Sequence, residues 1–262
     1  MSLLTGSTRD RRVAPLLRPT ESKLKDLIKA HGTICVGLLD SENIPPAEAA
    51  RIAARVESCG GKGILVGGST AINQIELEEV VKSVKTSVTS PVILFPGNVT
   101  GVAPSADAIF FSCLMNSDNP YFLTEAQALG ALAIRKYNLE PIPMAYLIVG
   151  EGGAAGFVGH ARGIPPNKPG LAVMYALAAE YFGMRFVYLE AGSGADGKVP
   201  QHMISAVRKA YGGTLIVGGG ITTPENAALA SKSGADIIVV GTMLESKDFD
   251  HTLTEICNVI SH

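Results

Sequence analysis

Two glycine clusters in the C-terminal part of the sequence are the clearest sign of chemistry. Gly218-Gly219-Gly220-Ile221 and Gly241-Thr242 each follow a short apolar run that is typical of a buried strand. Glycine has no Cβ, so its backbone N–H groups can approach an oxyanion closely and its φ can be positive. Such N–H groups, beside the start of a helix, commonly bind phosphate. The two clusters therefore predict a phosphate site, although ordinary tight turns would use the same residues.

A glutamate ends another apolar run. The segment Tyr188-Leu189-Glu190-Ala191-Gly192-Ser193-Gly194 would point Tyr188 and Glu190 into the same pocket, and its last two residues could close that pocket. In α/β barrels, polar residues at the ends of strands carry the chemistry. The alternative for Glu190 is a salt bridge to a loop cation such as Lys198.

An aspartate and a serine follow two earlier strand-like runs. The carboxylate of Asp40 could hold Mg²⁺, which binds one or two carboxylates and completes its shell with water and substrate phosphate. Ser69 and the neighbouring Thr70 could add a hydroxyl. Mg²⁺ beside a second phosphate-bearing substrate suggests displacement of diphosphate. A helix N-cap or an Asx turn before Pro45 and Pro46 would explain Asp40 equally well.

The sequence argues against several other chemistries. No predicted strand ends in lysine, which disfavours a Schiff-base aldolase, and no HxH or HExxH spacing supports a zinc hydrolase. A net charge of −2 predicts no nucleic-acid partner. The four cysteines form no CxxC pair, so we expect reduced thiols and a cytoplasmic location. With 47% hydrophobic and 18% charged residues, the chain can bury a large core and is not a disordered protein.

A repeating framework must position these residues. Apolar runs that lack polar alternation indicate parallel strands buried on both faces, and segments of helical periodicity separate them. Strands are predicted at Thr33–Leu39, Gly63–Val66, Pro91–Phe95, Asp107–Phe111, Ile142–Val149, Phe186–Glu190, Thr214–Val217 and Asp236–Val240. Helices are predicted at Glu21–Lys29, Pro46–Ser58, Ile72–Thr86, Thr124–Tyr137, Gly170–Tyr181, Pro200–Tyr211, Pro224–Ser233 and Lys247–Ser261.

Eight strands with crossover helices make an α/β (β/α)8 TIM barrel. Its third helix is predicted to be missing or replaced by a loop, because the interval between Phe95 and Asp107 is short and contains prolines and glycines. A doubly wound open sheet is the alternative fold. We expect residues 21–262 to form one barrel domain. Residues 1–20 contain several arginines but no apolar core, which predicts a flexible N-terminal tail.

These motifs, in this order, resemble the geranylgeranylglyceryl phosphate synthases, prenyltransferases of archaeal membrane-lipid synthesis with a modified TIM barrel. The resemblance covers about residues 21–260. It rests on Leu39-Asp40, Val66-Gly67-Gly68-Ser69-Thr70, Phe95-Pro96-Gly97-Asn98, Leu114-Met115-Asn116-Ser117, Tyr188 to Gly194, Gly218-Gly219-Gly220-Ile221 and Gly241-Thr242. The string Asp40-Ser41-Glu42 departs from the Asp-Pro-Asp or Asp-Pro-Glu type of many members, which leaves the geometry of that turn open.

The resemblance implies an Mg²⁺-dependent transfer of the prenyl group of geranylgeranyl diphosphate to the 3-hydroxyl of sn-glycerol 1-phosphate, the first ether bond of archaeal phospholipids. Asp40 and Ser69 would hold the Mg²⁺ that meets the diphosphate, and Glu190 would orient the hydroxyl or accept its proton. The residues implied for glycerol phosphate are Tyr188, Leu189, Glu190, Ala191, Gly192, Ser193, Gly194, Gly219, Gly220, Gly241 and Thr242.

Other functions remain open from the sequence alone. A heptaprenylglyceryl phosphate synthase would carry the same motifs, because the residues that set the length of the prenyl chain cannot be located. A phosphate-binding isomerase or lyase would share the glycine clusters but would need a second acid–base pair. A barrel that binds a phosphorylated ligand without catalysis is a third possibility. The resemblance also implies a homo-oligomer, and a lipid-like product makes transient membrane contact plausible.

Overall fold

A closed barrel of eight parallel strands forms the centre of the molecule. The computed structural model describes residues 18–42, 44–68, 73–192 and 197–261. Each strand pairs with the next in chain order, and β8 pairs with β1. The strands are β1 Ile34–Asp40, β2 Ile64–Gly68, β3 Val92–Pro96, β4 Ala108–Leu114, β5 Glu140–Ile148, β6 Phe186–Glu190, β7 Thr214–Gly218 and β8 Ile237–Val240. The predicted TIM barrel is confirmed, and the open sheet is excluded.

Helices surround the barrel except at one place. In the described residues they are α1 Pro19–His31, α2 Pro46–Ser58, α3 Gln74–Ser87, α4 Ala126–Tyr137, α5 Gly153–Val158, α6 Pro169–Tyr181, α7 Gln201–Ala210, α8 Pro224–Lys232 and α9 Asp250–Ile260. A π-helical turn precedes α4 and a 3₁₀ turn follows β8. Residues 97–107, between β3 and β4, form no helix, which confirms the predicted loss of the third helix.

Alternation along the strands divides the core into two layers. Side chains that point inward fill the barrel, as Phe110, Phe186 and Tyr188 do, and they are almost completely buried. The residues between them point outward and pack against the helices, as Ile109 and Leu189 do. Both faces of the strands are therefore apolar, which is why the strands appear in the sequence as continuous hydrophobic runs.

Helix α1 closes the amino-terminal end of the barrel. Leu24 is buried among the inward-pointing side chains. The carboxylate of Glu140 accepts the N–H groups of Thr20 at 2.7 Å and Glu21 at 2.9 Å, so a residue of β5 satisfies the first turn of α1. The predicted tail, residues 1–20, ends two residues too late, because Pro19 and Thr20 already belong to α1. Residues 1–17 lie outside the described residues.

In the described part of the chain, no helix has both the length and the apolar character needed to cross a membrane. All four cysteines lie in described ranges and are free thiols.

Candidate active site

One cavity of about 440 Å³ opens at the carboxyl ends of the strands. Asp40 of β1, Glu190 of β6, and Gly241 and Thr242 after β8 all line it. The parallel barrel brings together residues that are 200 positions apart in the sequence, because every strand ends at the same rim. Asp40 and the Gly241-Thr242 cluster therefore share a single opening, whereas the Gly218-Gly219-Gly220 cluster does not line it.

Glu190 is the buried carboxyl group of this cavity. Glu190 is only 6% exposed, and its Oε1 accepts the N–H of Gly192 at 2.6 Å. Burial raises the pKa of Glu190, and the N–H of Gly192 and the neighbouring Tyr188 hydroxyl partly oppose that rise. The predicted salt-bridge alternative is not realised, because Lys198 donates instead to Asn226 at 2.7 Å. A carboxylate with a raised pKa is suited to accept a proton near neutral pH.

Gly219 brings the end of β7 against Glu190. Its φ is +80° and that of Gly220 is +68°, in the left-handed region that glycine adopts without strain. A Cβ on Gly219 would collide with Oε1 of Glu190, and it would lie 2.7 Å from the nitrogen of Gly192 and 2.8 Å from that of Ala191. The loops after β6 and β7 can meet only because residue 219 has no side chain.

The hydroxyl of Tyr188 is buried beside the carboxyl of Glu190, and Tyr188 is not among the residues that line the cavity. The ring lies inside the barrel, stacked on Phe95 with 5.5 Å between centroids and edge-on to Tyr146 at 5.2 Å. Among the described residues nothing forms a hydrogen bond with this hydroxyl. Burial, and then the charge of Glu190, raise the pKa of Tyr188 well above its usual value, so the phenol stays neutral.

Gly241 differs from Gly219 in its surroundings. The nearest atoms to a Cβ at Gly241 would be those of Leu38, at 3.8 Å, which is ordinary van der Waals contact. Its φ of −125° and ψ of −81° lie outside both the α and the β regions. No described neighbour requires glycine at position 241, although this residue lines the cavity.

Some predicted site residues do not reach the cavity. The side chain of Leu189 points outward into the layer between strands and helices, because strand residues alternate and its neighbours Tyr188 and Glu190 point inward. Ala191 is also packed in that outer layer. Gly220 turns toward the loop before α7, where a Cβ would lie 2.7 Å from the oxygen of Gly197. Ser69, Ser193 and Gly194 lie outside the described residues.

Two carboxylates meet at the end of β1. A Cβ on Gly68, the last residue of β2, would lie 2.8 Å from Oδ1 of Asp40 and 2.6 Å from Oε1 of Glu42. Asp40 also accepts the N–H of Glu42 at 3.2 Å. Of these two carboxylates only Asp40 was predicted as a metal ligand, although Glu42 is just two residues further along the chain. The i, i+2 spacing of two acids after a strand was the available signal.

An apolar groove extends from the cavity along the flank that lacks a helix. Ile109 and Phe111 point outward from β4, and with no helix after β3 to cover them they face the cavity together with Val102. Helix α4 forms the opposite wall with Gly130 and Ile134. Other apolar residues from the strand ends and the following loops also line the cavity: Phe95, Val99, Leu114 and Tyr146.

The contribution of α4 to the groove was not predicted from the sequence. Gly130 is buried in the middle of that helix, and a Cβ there would meet nothing within 4 Å. A glycine inside a helix costs about 1 kcal/mol relative to alanine, so its presence was a signal that space is needed there. In contrast, Phe157 is 87% exposed and Leu147 is completely buried behind the strands, so neither belongs to the groove as described.

Comparisons with known proteins agree with this geometry. The PcrB family pattern matches residues 26–260. The geranylgeranylglyceryl phosphate synthase of Cenarchaeum symbiosum is 53% identical over 240 residues, which cover 92% of this chain and 97% of the relative. The enzyme of the same name from Pyrococcus furiosus is 53% identical over 209 residues, covering 80% of this chain and 83% of the relative.

A solved structure shares the whole fold. The crystal structure of (S)-3-O-geranylgeranylglyceryl phosphate synthase from Thermoplasma acidophilum, in complex with sn-glycerol-1-phosphate, superposes with a TM-score of 0.87. The two sequences are 39% identical, and the match covers 90% of this chain and 97% of the other.

Proposed function

The chain belongs to the PcrB family, together with the geranylgeranylglyceryl phosphate synthases that it resembles, and we propose that it catalyses their reaction. In that reaction the geranylgeranyl group passes from its diphosphate to the 3-hydroxyl of sn-glycerol 1-phosphate. One observation carries the proposal beyond the resemblance. A single cavity contains a buried carboxyl, Glu190, and continues into an apolar groove, so a polar acceptor and a hydrocarbon donor can meet in it.

The acceptor would bind on the side of β6 to β8. Gly241 and Thr242 line the cavity on this side and would face the phosphate. Glu190 is placed to accept the proton of the 3-hydroxyl. As the hydroxyl oxygen bonds to C1 of the prenyl group, the bond from C1 to the diphosphate oxygen breaks and diphosphate leaves. Fixing the acceptor beside this carboxylate makes the encounter effectively intramolecular.

Magnesium is the proposed cofactor, and Asp40 with Glu42 would hold it. Their oxygens converge beside Gly68 and offer the hard ligands that Mg²⁺ prefers. Within the described ranges no three His, Cys, Asp or Glu side chains form a complete metal site, so substrate oxygens would complete the shell. When bound, the ion would neutralise charge that develops on the leaving diphosphate. The proposal also includes Ser69, which lies outside the described residues.

A diphosphate-release assay tests the proposal. The purified protein is incubated with Mg²⁺, sn-glycerol 1-phosphate and geranylgeranyl diphosphate, and each substrate is then omitted in turn. We expect release that requires both substrates, with an ether product in the organic phase. Faster release with a C35 donor would favour the heptaprenylglyceryl phosphate alternative. The absence of release with any prenyl donor would contradict the proposal and favour a phosphate-binding isomerase, a lyase or a non-catalytic barrel.

Asp40→Asn tests the metal ligands. Replacing a carboxylate by an amide weakens a hard-cation site, so we expect the variant to need about tenfold more Mg²⁺ for half-maximal release. The matched control is Asp118→Asn, which removes a carboxylate from the loop after β4 and should leave the titration unchanged. A Mg²⁺ titration of Asp40→Asn that superposes on that of the wild type would exclude Asp40 as a ligand.

A homo-oligomer is the proposed assembly, with α4 and α6 as the contact face. These helices follow consecutive strands and expose large apolar side chains: Leu129 and Leu132 on α4, and Leu171, Met174, Tyr181 and the adjoining Phe182 on α6. A second copy would remove this surface from water. Sedimentation should show a dimer or larger species that Met174→Glu dissociates, whereas Val259→Glu on exposed α9 should not. A monomeric wild type would refute the proposal.

A cytoplasmic location and a transient membrane contact also remain proposals. Four free thiols support a reducing compartment. The exposed ring of Phe157 on α5, whose neighbouring residues line the cavity, would be the first aromatic side chain to reach a lipid surface. Flotation with vesicles tests this contact. Binding that Phe157→Ser abolishes would support it, and recovery of all the protein in the unbound fraction would contradict it.

A further inference from the structure

Little apolar packing holds α4 against the barrel. Strand β4 pairs with β5 along all of its residues, but it pairs with β3 only through Ala108 and Ile109. Beyond Ile109 the β3 side of β4 has no strand partner among the described residues, and residues 97–107 supply no helix there. Of the twelve residues of α4 only Gly130 and Ile134 are buried. Something other than apolar packing must therefore fix the distance between α4 and β4.

One side chain joins the start of α4 to both of its neighbours. The amide nitrogen Nε2 of Gln127 donates to the carbonyl oxygen of Ser112 on β4 at 2.6 Å. It also donates to the carbonyl oxygen of Phe122 at 3.2 Å, in the π-helical turn Tyr121–Glu125. Gln127, Ser112 and Phe122 all line the cavity. A single amide therefore connects three segments of the groove wall.

The two hydrogen bonds also fix the orientation of this amide. A reversed amide would place its oxygen against two carbonyl oxygens, which cannot donate. As it stands, Oε1 of Gln127 is buried and has no hydrogen-bond partner among the described residues. A buried acceptor without a partner costs free energy, and this cost opposes the gain from the two bonds of Nε2. Gln127 therefore contributes more to the position of α4 than to the stability of the fold.

We propose that Gln127 is a positioning residue that sets the distance between α4 and β4, and thereby the fit of the prenyl chain in the groove. This inference rests on the proposed function. Gly130 and Ile134 follow Gln127 at i+3 and i+7, so all three lie on one face of α4, and all three line the cavity. A shift of the helix start would move this whole face. Dispersion contacts with a hydrocarbon weaken steeply when a wall moves by less than an ångström.

Gln127→Met tests the proposal, because it keeps a side chain of similar length but removes both N–H donors. We expect KM for geranylgeranyl diphosphate to rise about tenfold, the equivalent of about two methylene groups leaving the apolar wall. The value of kcat should change little, because the lost contacts bind the ground state and the transition state alike. A C10 donor, which covers less of the wall, should be affected less. Calorimetric titration should show an unchanged affinity for glycerol phosphate.

A second variant and a matched control accompany this substitution. Gln127→Asn keeps the amide but is too short to reach both carbonyls, so it should raise KM in the same way. Gln201→Met makes the same change at an exposed residue of α7 outside the cavity and should leave KM unchanged. A similar rise in KM for Gln127→Met and Gln201→Met, or a rise in neither, would overturn the proposal. Failure of both Gln127 variants to fold would also overturn it, because Gln127 would then serve stability.

Hydrogen exchange distinguishes this inference from the proposed function. In Gln127→Met the amides of residues 121–130 should exchange faster than in the wild type, while those of α7 and α9 keep their rates. Unchanged exchange at residues 121–130, in an enzyme that still transfers prenyl groups, would refute the positioning role alone. A wild type without transfer activity would refute the proposed function, and the role of Gln127 in donor binding with it.

Discussion

At the scale of single residues, Glu190 combines burial with a position at the rim of the cavity. Glu190→Gln keeps the size of the side chain but cannot accept a proton, so we expect turnover to fall roughly a hundredfold or more while the affinity for glycerol phosphate changes little. Steady-state rates and calorimetric titration measure the two effects separately. Glu245→Gln, a second carboxyl that lines the same cavity, is the matched control and should keep its turnover. Unchanged turnover in Glu190→Gln would remove Glu190 from the chemistry.

The pH dependence of Glu190 provides an independent check. Because burial raises the pKa of Glu190, the folded protein retains this proton to a higher pH than the unfolded chain. The ionised carboxylate therefore costs stability, and this cost grows as the pH rises from the unfolded pKa through the folded one. Turnover of the wild type should fall as the pH drops through the folded pKa. Glu190→Gln should melt at or above the wild-type temperature at pH 8, and the difference should vanish near pH 4.

The variant Gly241→Ala distinguishes an effect on ligand binding from an effect on stability. A Cβ there meets nothing closer than 3.8 Å, so Gly241→Ala should lower the free energy of unfolding less than Gly219→Ala does. The added methyl would nevertheless stand where the phosphate is proposed to bind. We expect the affinity for glycerol phosphate to fall about tenfold, because hydrogen bonds to a charged group contribute about 1.5–3 kcal/mol. Thermal unfolding and calorimetric titration measure both quantities.

Gly219→Ala is the contrasting variant. Its Cβ would collide with Glu190, and its φ of +80° would strain any other residue, so this variant should lose stability as well as binding. Equal loss of stability in the two variants would mean that Gly241 also serves the fold. Retained affinity in Gly241→Ala would place the phosphate elsewhere.

At the scale of elements, α4 and β4 form the walls of the groove. Gly130 lines the cavity, and a Cβ at this position would meet no described atom within 4 Å. The ring of Gly130→Phe would therefore extend into the open space of the groove. Each methylene that leaves an apolar site costs about 0.8 kcal/mol. We therefore expect kcat/KM for geranylgeranyl diphosphate to fall at least about tenfold, while a C10 donor is less affected. Release assays with donors of several lengths measure the change.

Gly170 offers a matched control for that substitution. It is also a helical glycine with nothing within 4 Å of a Cβ, but it lies on α6 outside the cavity. Gly170→Phe should leave the preference among donors unchanged. If both variants, or neither, changed the preference, the groove beside α4 would not hold the prenyl chain.

The sequence predicted the elements more reliably than their contacts. All eight strands were predicted because parallel strands buried on both faces are continuous apolar runs. Helix α5 was missed because Gly152, Gly153 and Gly156 indicate a loop rather than a helix. Glu190 was predicted from its place at a strand end, whereas Leu189 could have been rejected from the two-residue alternation of the strand. On α4, the helical glycine Gly130 was a usable signal for the groove, whereas Ile134 could not be predicted, since no sequence pattern gives the rotation of a helix against a particular strand.

At the scale of the whole molecule, α1 completes the barrel at the end opposite the cavity. Glu140→Ala would leave the buried N–H groups of Thr20 and Glu21 without their acceptor. Each unsatisfied buried donor costs about 1–3 kcal/mol, so we expect a loss of about 2–4 kcal/mol in the free energy of unfolding, measured by urea denaturation. The matched control is Glu255→Ala, which removes an exposed carboxylate of α9 that pairs with His251. Exposed ion pairs contribute little, so this variant should lose less than about 0.5 kcal/mol by the same measurement. Equal losses would show that Glu140 does not anchor α1.

The uncovered flank of β4 gives the two substrates separate approaches. In the proposed reaction a small hydrophilic acceptor would reach Glu190 along the barrel axis, whereas a long hydrocarbon would extend sideways between β4 and α4, whose residues line the same cavity. Neither route obstructs the other, so a ternary complex can assemble from either binary complex. The lipid product can also withdraw laterally, tail first, into an apolar phase without drawing its hydrocarbon through the polar rim.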